Sequence, residues 1–352
     1  MTAVAEPVAP TVASGAEELT ESEILRVENL RVHLRTDHGL VRAVEGTSLS
    51  VPAGRSLGIV GESGCGKSQA ALAIMGLLPP RIGFFAGGHI WYRKSSGETV
   101  DITKLDPRGE AIRNLRGNEI AIVFQEPMTS LNPVYTIGEQ IVEAIRLHQK
   151  VDYATARKRA IEMLERVEIP AAAERFSDYP HQLSGGMRQR VMIAMALSGN
   201  PRLLIADEPT TALDVTIQAQ ILSLIKQLQR DFGMSLILIT HDLGVVREVV
   251  ETVAVMYLGK IVEQGPVART LSSPLHPYTR SLIATIPKIG RKEKLLPIRG
   301  TVPSAMSERR GCDFAPRCDF AMTECRDQAP PMFAPNDEQT ARCWLHRPGT
   351  AA

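Results

Sequence analysis

Short continuous apolar runs alternate along the chain with longer stretches in which apolar residues recur every three or four positions. Leu25–Val32 alternates apolar and polar residues, as a strand with one buried face does. A turn at Asp37-His38-Gly39 leads to a second strand within Val41–Val51, and Pro52-Ala53-Gly54 turns the chain again. Leu57-Gly58-Ile59-Val60, Ile120–Phe124, Leu203–Ala206 and Ser235–Ile239 are continuous apolar runs, the pattern of strands covered on both faces. Helical spacing occupies Gln69–Leu78, Ile137–Arg146, Tyr153–Val167, Gln189–Leu197 and Thr216–Phe232. His89–Tyr92 reads as β-type, Met128–Pro133 as loop, and Val253–Tyr257 with Lys260–Glu263 as a hairpin around Leu258-Gly259. Alternating strands and helices predict an α/β fold: a mostly parallel sheet with helices on both faces and ligand at the strand C-termini.

The texture changes near Gly265. Proline becomes frequent, Leu275-His276-Pro277-Tyr278-Thr279 begins a short helix, and 287–311 is linker with Pro, Lys and Arg before a cysteine-rich end. At the other end, Met1–Thr20 has neither helical nor strand period, and lacks the basic start and apolar centre of a signal peptide. A disordered tail is expected over 1–23.

Composition narrows the partners. The 352 residues suffice for a sizeable core. With 40 basic and 39 acidic residues, no global field points to nucleic acid or to anionic membrane. No uninterrupted apolar run reaches the roughly 18 residues that span a bilayer. Four of the five cysteines fall after residue 311. In an otherwise cytosolic-looking protein this clustering argues for metal rather than disulfides.

The chemistry begins at Gly61-Glu62-Ser63-Gly64-Cys65-Gly66-Lys67-Ser68, which fits the phosphate-binding pattern G-x-x-x-x-G-K-[ST] between a strand and a helix. Its glycines let backbone amides curl around phosphate oxygens, Lys67 can reach the β- and γ-phosphates, and the Ser68 hydroxyl can ligate Mg²⁺. Cys65 stands at a variable position of the loop and reads as filler. Four features follow in order: Gln125 after a strand, Ser184-Gly185-Gly186-Met187-Arg188-Gln189 ahead of a helix, Asp207-Glu208 ending a buried strand, and His241 ending another. Alone, an Asp-Glu pair after a strand is most often a solvated turn, and a single His there is structural. Their joint order behind the phosphate loop reverses both readings.

This order resembles the ATP-binding subunit of ATP-binding cassette (ABC) transporters, over about residues 24–345. The resemblance implies a P-loop, RecA-like nucleotide-binding domain over 24–262, with a helical subdomain about 84–183 and an extension over 263–352. It also implies residue roles: Asp207 in the Mg²⁺ shell, Glu208 polarising the attacking water, and His241 steadying water and γ-phosphate. Gln125 would sense Mg²⁺ and the membrane subunits. Ser184, Gly185, Gly186 and Gln189 would meet the ATP of a second subunit, and Asp214 would lie in the loop at that interface. The family's aromatic that stacks adenine is missing between Leu25 and Ser56, which leaves His38 as the planar candidate.

Phe124–Pro133, Leu275–Thr279 and the cysteine ending resemble the oligopeptide/dipeptide (and nickel) importer branch. Cys312, Cys318, Cys325 and Cys343 are spaced C-x5-C-x6-C-x17-C. Four thiolates can form a closed site; the branch implies a [4Fe–4S] cluster, and zinc is the competing occupant. The branch further implies a related second ATPase (a heterodimer), two permease subunits, an extracytoplasmic binding protein, and a peripheral place on the cytoplasmic face of the membrane. Nickel import and a soluble ABC ATPase acting on DNA or the ribosome are the rival functions.

Overall fold

The computed structural model describes residues 19–125, 130–211, 213–286, 298–307 and 310–349. The strands are β1 (Glu23–Thr36), β2 (Gly39–Pro52), β3 (Ser56–Val60), β4 (Gly83–Arg93), β5 (Thr99–Asp101), β6 (Ile120–Val123), β7 (Leu203–Asp207), β8 (Ser235–Thr240), β9 (Thr252–Tyr257), β10 (Lys260–Pro266) and β11 (Thr340–Ala341). The helices, in chain order, are α1 (Lys67–Ile74), α2 (Glu110–Leu115), α3 (Ile137–Gln149), α4 (Tyr153–Arg166), α5 (Ala172–Arg175) and α6 (Gly185–Leu197). They continue with α7 (Val215–Phe232), α8 (Leu243–Val249), α9 (Val267–Ser272), α10 (Pro277–Ala284) and α11 (Thr323–Asp327).

The central sheet runs β11-β10-β9-β3-β8-β7-β6. Its β9-β3-β8-β7-β6 stretch is parallel, and β10 and β11 add antiparallel at one edge. A second, antiparallel sheet runs β2-β1-β4-β5. Period-two geometry explains why the central strands are apolar throughout. Leu57, Ile59, Leu203, Ile205, Ile237 and Ile239 face one core, shared with the antiparallel sheet and α1. Val60, Leu204, Ala206, Leu236 and Leu238 face the other, shared with α3, α4, α6 and α7. Each strand is thereby held from both sides, and its C-terminal end is fixed where the chemistry sits.

Several expectations change. Helix α1 stops at Ile74, because the chain turns through Gly76 at φ +62° rather than continuing to Leu78. The segment 84–183 is not one helical subdomain. Strand β4 pairs with β1, and β6 pairs with β7, so the helical lobe begins only after β6. The expected tail over 1–23 is packed where it is described: Leu19 is buried, and the Arg93 guanidinium donates to the carbonyls of Leu19, Thr20 and Glu21. Residues 128–129 of the expected Met128–Pro133 loop lie outside the described residues, as does 287–297 of the linker.

The extension is built into the core. Strand β11 extends the sheet, and Phe314 packs against Tyr257 of β9 and Tyr278 of α10, each at 5.4 Å between ring centroids. Asp313 pairs with Lys260 at 2.8 Å.

Candidate active site

Strand β3 delivers the phosphate-binding loop. Gly66, at φ +105°, lies so close to β2 that a Cβ would sit 2.1 Å from the Ala43 carbonyl oxygen. No side chain fits there without moving backbone. The Cys65 carbonyl accepts from the Gly259 amide at 2.7 Å, which ties the loop to the β9–β10 turn. Cys65 itself is buried, and burial pushes its thiol above the usual range. Lys67 is buried too, and its ammonium donates to the carbonyls of Gly61 (2.8 Å) and Glu62 (3.1 Å).

Two carboxylates end β7, in different surroundings. Asp207 is buried with the Ser68 side chain hydrogen-bonded to it, and its Oδ1 has no partner among the described residues. Burial raises its pKa, and the neighbouring Glu208 adds to the rise. A buried carboxylate oxygen beside a serine hydroxyl offers two oxygen donors of the kind that suits Mg²⁺. Glu208 has turned out of the strand at φ +46°, a costly region for a residue with a side chain. Its amide donates to Ile239 of β8 at 2.8 Å, which holds the turn. Its Oε2 accepts from Gln125 Nε2 (3.3 Å) and from the Thr211 hydroxyl (3.0 Å), and His241 Nδ1 lies 3.3 Å from Oε1. Gln125, Glu208 and His241 therefore meet, though they end three different strands. Thr211 carries no signal in the sequence, for a threonine four residues beyond the end of a strand is ordinary on its own.

Residues 63–69, Gln125 and Glu208 line a cleft of about 330 Å³, together with Leu34, Val41 and Ala305 among others. Leu34 and Val41 are among the wall residues, whereas His38 lies in the β1–β2 turn and is not. Ala305 comes from the extension, held by the Arg42 amide donating to its carbonyl at 3.1 Å.

Some distance along the helical lobe, Ser184 caps α6, its hydroxyl accepting from the Met187 amide at 3.3 Å. Ser184 and Gly185 are exposed, whereas Gln189 is 1 % exposed on the inner face of the helix, more than a turn further on. Gln189 is thus withdrawn from any surface a second subunit could meet. Gly186 packs on α7, where a Cβ would lie 2.7 Å from Ile217. Asp214 caps α7 through the Ile217 amide at 3.0 Å.

The four late cysteines converge and none is in a disulfide. The Cys312 amide donates to the Cys325 carbonyl at 2.7 Å. Burial, together with the neighbouring thiols, pushes Cys312 and Cys343 up to about 11 and raises Cys318. Among the described residues no three or more Cys, His, Asp or Glu close around a point as metal ligands do. The iron–sulfur centre that the resemblance implies, or its zinc competitor, is therefore not built as a closed ligand set among the described residues.

The family described as ABC transporter matches residues 44–211, and the oligopeptide/dipeptide transporter C-terminal region matches 262–325. A putative peptide import ATP-binding protein of Brucella abortus is 49% identical over 332 residues, 92% of this chain and 98% of that one. The dipeptide transport ATP-binding protein DppD of Bacillus subtilis is 47% identical, over 92% of this chain and 95% of its own. A dimeric ATP-binding cassette solved in a post-hydrolysis state with ADP and phosphate superposes with a TM-score of 0.60 at 28% identity, covering 69% of this chain and 99% of that one. With the phosphate loop, the paired carboxylates and Ser184-Gly185-Gly186 in their places, the chain belongs to the ATP-binding cassette family, as an ATPase of ABC transporters.

Proposed function

We propose that the chain energises import of di- and oligopeptides by hydrolysing ATP at the β3/β7/β8 edge. The observation that carries this is the likeness to peptide import ATP-binding proteins along 92% of the chain, extension included. Phosphoryl transfer to water needs positioning and charge neutralisation more than covalent chemistry. The loop amides and Lys67 would hold the β- and γ-phosphates. Ser68 and Asp207 would hold Mg²⁺, which supplies charge neutralisation at the phosphates; Gln125 borders the same place. Glu208, fixed by Gln125, Thr211 and His241, would orient water and take its proton.

Ser184 and Gly185, exposed at the start of α6, and the half-buried Gly186 would complete the site of a second ATPase, in a heterodimer closed on two nucleotides. The helical lobe supports docking to two permease subunits. Val134, Tyr135 and Leu147 are exposed there, and a cavity of about 710 Å³ joins Phe124, Ala144, His148 and Met195 to Gln125 and Asp207. Among the described residues no helix is long and apolar enough to cross a membrane, so the membrane path would belong to those partners, with an extracytoplasmic protein presenting the peptide. The four late cysteines do not close as a ligand set and would have to draw together to hold a [4Fe–4S] cluster, whose role would be to pin the extension. Iron and sulfide in equal amounts after anaerobic purification support the cluster; one zinc per chain replaces it with the competing occupant.

Uptake tests the function. Deleting the gene should abolish entry of a labelled dipeptide or tetrapeptide, with rescue by the wild type and none by Glu208→Gln. Unchanged peptide entry, with loss of nickel uptake instead, would refute the peptide assignment.

A further inference from the structure

One residue of the phosphate loop is held from outside the cassette core. The Glu62 amide donates to the Tyr278 hydroxyl at 2.9 Å. The Glu62 carboxylate receives both arms of the Arg317 guanidinium, at 2.7 and 3.0 Å. The Glu62 carbonyl accepts from Lys67 at 3.1 Å. Tyr278 and Arg317 lie on separate segments of the extension. The Arg317 side chain is 3% exposed, donates to the Tyr257 hydroxyl at 3.3 Å, and is anchored by Nε to the Arg299 carbonyl at 2.9 Å. Such a bidentate, nearly buried pair is set by packing and not by solvent.

We propose that Arg317 and Tyr278 are positioning residues for the phosphate loop, so that nucleotide affinity depends on how the extension is seated. The line of contact is short. Arg317 precedes Cys318 and follows Phe314, and through Glu62 it reaches the carbonyl on which Lys67 rests. Neither residue lines the cleft. Their effect is on the shape of the loop. A loop released on its Glu62 side would present its amides and Lys67 in more than one arrangement, and binding would select among them. This rests on ATP binding at the loop and not on the transported solute.

The test is a titration of Mg²⁺ and a fluorescent N-methylanthraniloyl ATP into the full chain, with ATPase kinetics beside it. Arg317→Gln and Glu62→Gln should each weaken nucleotide binding on the order of tenfold, within the usual range for coupled sites. The double variant should be no worse than either alone, because both remove one contact. The loss should appear chiefly in KM, with kcat within about twofold. Arg317→Lys, which keeps charge without the fork, should recover part of the affinity. Should Arg317→Gln fail to fold, Glu62→Gln and Tyr278→Phe carry the test, since each removes polar contacts and preserves shape. Wild-type affinity in folded variants, or fully additive losses in the double variant, overturns the proposal. Wild-type protein that fails to bind the probe would instead refute the nucleotide site itself.

Discussion

Replacing Phe314 with alanine should unseat the extension from the cassette. The ring is 2% exposed and packs at 5.4 Å on both Tyr257 and Tyr278, and at 5.9 Å on His276. Removing a buried phenylalanine costs about 3–5 kcal/mol, to which each aromatic pair contributes about 0.5–1.5. Taking roughly 4 kcal/mol and a urea slope of roughly 2 kcal/mol per molar, the midpoint of the extension should fall by about 2 M. The protein provides its own reporter. Of its two tryptophans, Trp344 lies in the extension with its indole donating to Gln328, and Trp91 lies in β4. Urea titration in a Trp91→Phe background therefore follows the extension alone. Phe314→Leu should recover more than half of the loss, since it keeps most of the volume. A fall below about 0.5 M for Phe314→Ala would mean that the ring contributes no more than a surface residue does, and would refute the packing argument.

Two further predictions test the loop and the buried histidine. Gly66→Ala must push the loop off the Ala43 carbonyl and should weaken ATP binding at least about tenfold, whereas Gly64→Ala, with open space around its Cβ, should cost only backbone strain of about 1 kcal/mol; equal effects in the two would contradict the close approach. His276 is buried and its pKa is pushed down to about 3, chiefly by burial. The unfolded chain takes up the proton first, so stability is full above about pH 6.5 and is lost as pH falls from there toward 3. At pH 5 the loss relative to pH 7 is about 2 kcal/mol, readable as a lower urea midpoint that His276→Asn abolishes.

The central sheet was legible because its strands are short apolar runs buried on both faces, and α3, α4 and α7 because their apolar residues keep helical spacing. The ends of β3, β7 and β8 then placed Lys67, Asp207, Glu208 and His241 together, as their order suggested. What stayed hidden was pairing between distant segments. Strand β4 is interrupted by Gly87-Gly88 and finds β1 only in three dimensions, so 84–183 passed for a helical unit. Gln189 followed its motif into the partner-facing group, although helix geometry turns it inward. The grip of Arg317 on Glu62 spans 255 positions and leaves no local trace. Tyr278 did stand inside a noticed motif, Leu275–Thr279, but nothing in the sequence says that its hydroxyl meets the phosphate loop.

The account stands on Glu208 as the group that orients water, held by Gln125, Thr211 and His241. The direct measurement is phosphate release by Glu208→Gln, reconstituted with its partner ATPase and Mg²⁺-ATP, alongside nucleotide binding and dimer formation. The account predicts wild-type nucleotide affinity, an ATP-dependent dimer that no longer dissociates, and turnover lowered by at least about 100-fold. Undiminished phosphate release in that variant would contradict it.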